Sequence, residues 1–268
     1  MAAPHLKVVA SPAKRPVIEI AGVSKTYRTQ DGDVPSLRPL NFSVDQGEFL
    51  IVVGPSGCGK STLLKLIAGL LPPSEGEIRV EGRVVTKPHS DVGIVFQSPL
   101  LLPWRSVFRN VMMPVEVKGL PRAEYEGRAR ALLKMVGLDG FENKYPWQLS
   151  GGMQQRASIC RALVHDPKIV LMDEPFGALD AMTRERMNVE LQRVQRETGK
   201  TVLLITHSIP EAVFLADRVL VMSERPGTIA AIYDVTLTRP RSLDVLADPV
   251  FVALTQTIRR HFDVQKDL

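Results

Sequence analysis

With 268 residues, 44% of them apolar and 24% charged, the chain has material for one large domain, or one domain with a smaller lobe, and too ordinary a composition for wholesale disorder. Its 34 Lys and Arg against 29 Asp and Glu leave a formal charge of +5, but the charges are scattered and no basic run marks a nucleic-acid or membrane surface. Two cysteines, Cys58 and Cys160, are too few for a disulfide framework and fit a reducing compartment, while apolar runs such as FLIVVG and TVLLITH are strand-sized, far below the roughly 20 residues of a membrane-spanning helix.

The opening MAAPHLKVVASPAKRP, residues 1–16, lacks an apolar core of signal-peptide length and reads as a loose tail on a chain that is not exported. From Val17 to about Glu48, turn signals at Asp31-Gly32 and Gln46-Gly47 predict antiparallel strands. GEFLIVVG follows as a buried strand and leads into GPSGCGKST, residues 54–62, and then the helical run LLKLIAGLL. That stretch satisfies G-x-x-x-x-G-K-[ST] in the strand-to-helix setting a phosphate loop requires. Glycines let the backbone wrap closely around phosphate oxygens, and a helix N-terminus favours negative charge. Gly54, Pro55, Ser56, Gly57, Cys58, Gly59, Lys60, Ser61 and Thr62 are therefore the expected cradle, with Lys60 on the β- and γ-phosphates and Ser61 on Mg²⁺. A purely structural turn would account for the glycines and leave Lys60 and Ser61 as coincidence.

VGIVFQ is the next strand and ends in Gln97, a neutral amide suited to touch water or Mg²⁺. From about Ser98 to Leu163 the pattern turns helical, with Tyr125, Ala129, Leu132, Leu133 and Val136 at helical spacing, and predicts an inserted helical lobe. Its apolar edge LLPW either docks another protein or caps the lobe's own core. QLSGGMQQR, residues 148–156, holds a Ser-Gly-Gly turn ahead of a helix, a second anion-binding turn in a chain that already has one. KIVLMDEP then reads as a buried strand, Ile169 to Met172, delivering Asp173 and Glu174 to the C-terminal sheet edge where ligands of α/β sheets bind. TVLLITH brings His207 to the same edge, and RVLVMS is a further strand. In the tail, Val250, Leu254, Ile258 and Phe262 recur four apart, as a core-facing stripe or a membrane-surface helix. The core is preferred, because the polar face is short and only Arg259 and Arg260 on it are basic.

Taken in order, GPSGCGKST, VFQ, LSGGMQQR, VLMDEP, ALD and TH resemble the ATP-binding subunits of ABC transporters, from Val17 to at least Met222. The resemblance implies an α/β P-loop NTPase fold of the ABC ATPase type, with a mixed central sheet, an N-terminal antiparallel β lobe and the inserted helical lobe. It implies an ATPase domain over 17–245 and a C-terminal helical segment over 246–268. By the same resemblance Tyr27 stacks on adenine, although a lone aromatic near a strand end is otherwise plain packing. Gly54 to Thr62 form the Walker A loop, Gln97 belongs to the Q-loop, Asp173 is the Walker B aspartate, Glu174 the general base, Asp180 the D-loop residue and His207 the switch histidine. Leu149, Ser150, Gly151, Gly152 and Gln154 belong to the signature, which meets ATP held by the partner subunit in a head-to-tail pair. ATP and Mg²⁺, the latter on Ser61, Gln97 and Asp173, are the expected cofactors of a Mg-dependent ATPase coupled to transmembrane transport. Expected partners are a second ATPase subunit, in the simplest case another copy, an integral membrane permease and, indirectly, a solute-binding protein, with no nucleic acid. Its place is the cytoplasmic face of the cell membrane, held peripherally.

SPLLLPWRSVFRNV, EPFGALDAMTRERMN and ERPGTIAAIYDVTLTRPR further resemble the importer subfamily for nitrate, sulfonates and taurine. The alternatives are an exporter-type or lipid-linked ABC ATPase, and a non-transport relative. The latter would be marked by long coiled-coil insertions or two cassettes in one chain, and the sequence has neither.

Overall fold

The computed structural model describes residues 15–263. In chain order it runs β1 (Pro16–Thr29), β2 (Gly32–Asp45), β3 (Phe49–Val53), α1 (Lys60–Ile67), β4 (Glu75–Val80), β5 (Arg83–Val84), β6 (Val92–Val95), α2 (Val107–Val111), α3 (Met113–Val117), α4 (Arg122–Met135), α5 (Gly151–Leu163), β7 (Ile169–Asp173), α6 (Ala181–Thr198), β8 (Thr201–Ile205), α7 (Ile209–Leu215), β9 (Arg218–Met222), β10 (Ile229–Asp234) and α8 (Pro249–Asp263). Short 3-10 turns lie at Pro146–Gln148 and Leu243–Ala247. The expected tail falls outside the described residues except for Arg15 and Pro16, and Pro16 already pairs with Asp45, one residue before the expected start of the domain.

Two sheets carry the fold. The central one has the order β10-β9-β3-β8-β7-β6 and is parallel except for β10, which runs antiparallel to β9. Its inner strands are buried on both faces, so their sequences are unbroken apolar runs. Alternate residues divide between two cores: Phe49, Ile51, Val53, Val170, Met172, Val202 and Leu204 face the helices of the lobe and C-terminal half. Leu50, Val52, Ile169, Leu171, Leu203 and Ile205 face α1 and the second sheet. That second sheet, β2-β1-β4-β5, is antiparallel and forms the predicted N-terminal lobe around a tight turn at Gln30-Asp31.

The inserted lobe contains α2 to α5, and α4 buries Ala129, Leu132 and Leu133 as its spacing predicts. The C-terminal helix resolves in favour of the core: Ile258 and Phe251 are buried against the sheet's helical face, with Leu254 and Phe262 packed beside them. The expected stripe is off by one residue at its start, because Val250 is 50% exposed and Phe251 takes the inward position. The helix after the phosphate loop also differs from the expectation. It begins at Lys60 inside the motif and ends by Ile67, where Gly69, at φ 70°, turns the chain tightly against the Lys87 backbone.

Candidate functional site

β3, β8, β7 and β6 are neighbours in the central sheet, so the residues just past their C-terminal ends share one edge. β3 leads into residues 54–62, β8 to His207, β7 to Asp173 and Glu174, and β6 to Gln97. A cleft of about 420 Å³ opens there, lined by Tyr27, Ser36, Ser56, Gly57, Gly59, Lys60, Ser61, Thr62, Gln97, Glu174 and Arg225.

The loop's shape depends on Gly57 and Gly59, whose φ values of 77° and 106° lie where side chains are strained. Gly59 caps α1, whose first-turn N–H groups have no intrahelical partners and face anions favourably. Lys60 is 7% exposed, and its Nζ donates to the carbonyls of Gly54 and Pro55, each at 2.7 Å, which holds the ammonium against the loop. Cys58 is buried at 1% exposure with its Sγ 3.9 Å from Lys60 Nζ, and burial pushes the thiol's pKa up. Gly54, Pro55 and Cys58 thus form the loop's inner wall rather than lining the cleft. Tyr27 does line it, and its hydroxyl lies 3.2 Å from Thr62 Oγ1.

Glu174 is the hub of the acidic side. Its Oε2 accepts from Gln97 Nε2 at 3.2 Å and lies 3.3 Å from His207 Nδ1. Three strand ends, those of β6, β7 and β8, therefore converge on one carboxylate. The backbone of Glu174 is left-handed, φ 46°, a sparsely populated state for a residue with a side chain, and is fixed by its N–H on the Ile205 carbonyl at 2.9 Å. Asp173, one residue earlier, is 6% exposed; burial raises its pKa, and a hydrogen bond from Ser61 opposes that shift. A buried carboxylate paired with a hydroxyl, with its charge incompletely balanced, is the donor set a hard divalent cation takes. The positive-φ glycines, the helix start and this Asp–Ser pair therefore fit a Mg²⁺-bound nucleoside triphosphate.

The Ser-Gly-Gly turn stands apart: no residue of 149–154 lines the cleft beside residues 54–62. Ser150 caps α5, accepting from Met153 N at 3.3 Å, and Ser150 and Gly151 are exposed while Leu149 is buried. Gln154 braces the turn from within, its Nε2 donating to the carbonyls of Pro146 at 2.9 Å and Leu149 at 3.2 Å. Asp180 caps α6 by accepting from Thr183 N at 2.9 Å, and those backbone hydrogen bonds hold its carboxyl below the usual range.

Several residues that shape the site carry no local sequence signal. Arg184 ties the loop between Glu174 and Asp180 by donating to Phe176 O at 3.3 Å and Leu179 O at 3.0 Å. Asn110, fully buried, fixes the LLPW loop through Leu102 N at 2.7 Å and the carbonyls of Leu102, Arg105 and Ser106. Leu101 consequently packs on the lobe's core while Trp104 stays 71% exposed. An open groove of about 500 Å³ lies close by, lined by Ile94, Phe96, Leu100, Met113, Pro114 and Val117 among others.

Residues 37–177 match the ABC transporter family. The chain is 46% identical over 240 residues to the taurine import ATP-binding protein TauB of Rhizobium johnstonii, covering 88% of this chain and 92% of that one. It is 44% identical to TauB of Escherichia coli K12 over 232 residues, covering 85% and 91% of the two chains. An uncharacterised ABC transporter ATP-binding protein of Methanocaldococcus jannaschii is 49% identical over 224 residues, 84% of each chain. Among solved structures, a dimeric ATP-binding cassette described as a post-hydrolysis state bound to ADP and Pi superposes with a TM-score of 0.75 at 34% identity, over 82% of this chain and all of that one.

Proposed function

The chain belongs to the ABC transporter family as a subunit that binds ATP and couples its hydrolysis to transport, and from that premise we propose that it drives import of taurine or a closely similar small sulfonate. The observation that carries this reading is the 44–46% identity to taurine import ATPases over nearly their whole length. Nitrate remains the competing solute, since specificity resides in the chains that touch the solute.

In this reading the cleft holds ATP, with Tyr27 at the adenine, residues 54–62 around the phosphates and Lys60 on the β- and γ-phosphates. Ser61 and Asp173, with Gln97, hold Mg²⁺, which when bound balances phosphate charge and orients the phosphates. Glu174 takes the proton of the attacking water; Gln97 and His207, both at its Oε2, orient that carboxylate. Two chains pair head to tail, so that Ser150, Gly151 and Gly152 offer a hydroxyl and helix-end amides to the γ-phosphate in the partner's cleft. Support for the pairing is that the signature turn is exposed and lies outside its own chain's cleft, together with the dimeric state of the similar cassette. Asp180, at the start of α6, belongs to the same face.

The chain sits at the cytoplasmic side of the cell membrane through a permease, which we place on the apolar groove that Phe96 and Leu100 line. Among the described residues no helix is long and apolar enough to cross a membrane. The solute-binding protein acts through the permease and not on this chain. Residues 17–245 act as the ATPase domain with its helical lobe over about 98–163, and 246–268 as a helical C-terminal segment.

Uptake tests the reading directly. Proteoliposomes holding the co-purified permease should accumulate labelled taurine with ATP, and unlabelled taurine should compete better than nitrate; ATP-driven efflux, or competition by nitrate alone, overturns it. The pairing is tested by mixing Ser150→Arg with Lys60→Ala. Each variant alone should be inactive, and the mixture should regain turnover through mixed dimers with one intact composite site; a mixture as inactive as its parts rules out shared sites.

A further inference from the structure

The stretch ERPG, residues 224–227, brings one side chain, that of Arg225, to the cleft. The stretch connects β9 to β10 and is closed by Ser223 N on Thr228 O at 2.9 Å and Thr228 N on Ser223 Oγ at 3.1 Å. It is clamped to β2 by Gly227 N on Ser36 O and Arg38 N on Gly227 O, each at 2.9 Å. Its other side meets the phosphate loop, where a Cβ on Gly227 would collide with the Cys58 carbonyl oxygen, so the fit demands glycine. The connection is thus wedged between β2 and the loop at residues 54–62.

That wedge fixes where Arg225 stands. Arg225 Nε donates to Pro35 O at 3.2 Å, and Pro35 pairs in register with Thr26, one residue before Tyr27. The exposed guanidinium lines the cleft with Tyr27, Ser36 and Thr62. Among the described residues its two terminal nitrogens have no hydrogen-bond or ion-pair partner; Lys60, the other cation of the cleft, is held by two loop carbonyls. A guanidinium anchored at Nε keeps a fork of donors that matches phosphate oxygens or ribose hydroxyls.

We infer that Arg225 is a nucleotide-binding residue that clamps ATP on its adenosine and α-phosphate side, at the end of the cleft away from Gln97 and Glu174. The inference rests on the placement of ATP proposed above. A contact remote from the reacting phosphate holds substrate and transition state alike, so it acts on KM and not on kcat. It also makes no distinction between ATP and ADP.

Calorimetric titration of Arg225→Ala with Mg·ATP and with Mg·ADP should give Kd values raised for both nucleotides, by about 5- to 20-fold for a charged but solvent-exposed contact. KM for ATP should rise in step with kcat unchanged, and Arg225→Lys, which keeps the charge and loses the Pro35 anchor, should fall between. Unchanged thermal midpoints without nucleotide check the fold of both variants. Kd values within about twofold of wild type for both nucleotides overturn the inference, as does a loss confined to ATP, which would put the contact at the γ-phosphate. Lys60→Ala separates the two readings: if it loses ATP binding and Arg225→Ala does not, this inference alone fails, whereas if neither loses binding the cleft itself is misassigned.

Discussion

Arg241 offers a stringent test of how the C-terminal stretch supports the site. Its side chain is 3% exposed and donates to the carbonyls of Val213 at 3.1 Å, Phe214 at 2.9 Å, Ala216 at 2.8 Å and Leu237 at 3.0 Å. Three of these end α7, whose last carbonyls have no intrahelical donors, and α7 starts two residues after His207. Burial holds the guanidinium's pKa down to about 10, still well above neutral, so the strap stays cationic. Hydrogen bonds to a charged group contribute about 1.5–3 kcal/mol each, and burying the cation costs several kcal/mol, which leaves a net loss of about 3–5 kcal/mol for Arg241→Ala. Arg241→Met keeps the packing of the stem but leaves the carbonyls unpaired, and should recover about 1 kcal/mol of that loss. Urea unfolding followed by circular dichroism reads both, as a lower midpoint at constant slope. A loss below about 1 kcal/mol for Ala, or a Met variant as stable as wild type, would refute the view that a buried cation caps this helix.

Glu174→Gln retains an acceptor oxygen for Gln97 and His207 but cannot take a proton, so turnover should fall by about 10²- to 10⁴-fold with ATP binding preserved and an ATP-dependent dimer on sizing chromatography. Normal turnover would remove Glu174 from the role of base. His165 lies beside the apolar groove; burial first, then Lys118, Lys200 and Arg128, bring its pKa down to about 4 from an ordinary 6.5. The unfolded chain therefore binds this proton first, so the stability contribution is intact above about pH 6.5 and is lost as pH falls toward 4, a difference of about 1–2 kcal/mol after allowance for its partial exposure. His165→Asn should flatten the thermal midpoint against pH in that window, and an unchanged slope would place the acid sensitivity elsewhere.

The site was more legible than its supports, and the reason is physical. Asp173, Glu174 and His207 end or follow strands buried on both faces, and Gln97 follows an edge strand that is still apolar throughout, so all four close short apolar runs whose ends can be read locally. β4 and β10 give no continuous apolar run: at or near sheet edges, β4 mixes exposed with buried positions and β10 alternates half-buried with exposed ones. The start of α1 was placed late because Lys60, Ser61 and Thr62 are polar, and a pattern search starts a helix at its first apolar residue. Arg184, Arg225, Arg239 and Arg241 act on backbone carbonyls, some of them distant in sequence, and a carbonyl has no sequence signature. Glycine conformation was the exception, since the phosphate-loop motif implied the turn that Gly57 and Gly59 make.

One helix, α5, ties the Ser-Gly-Gly turn to the segment around Gln97. The N-terminus of α5 carries the Ser150 cap, and further along Gln155 Nε2 holds Phe96 O at 3.0 Å while Arg161 holds Pro99 O and Leu100 O at 2.7 Å each. The segment on either side of Gln97 is therefore bound to the same rigid element as the signature turn. Glu174 and His207 are fixed to the central sheet through β7 and β8, and Gln97, two residues past β6, is held both by that sheet and by α5. The 3.2 Å contact from Gln97 to Glu174 therefore joins a segment tied to α5 with the end of β7. A shift of α5 would pull on the residues flanking Gln97, because their carbonyls are bound to the helix. The contact at Glu174 is thus coupled to α5 through these carbonyls, and a partner seated in the groove that Phe96 and Leu100 line would bear on it through the same few residues.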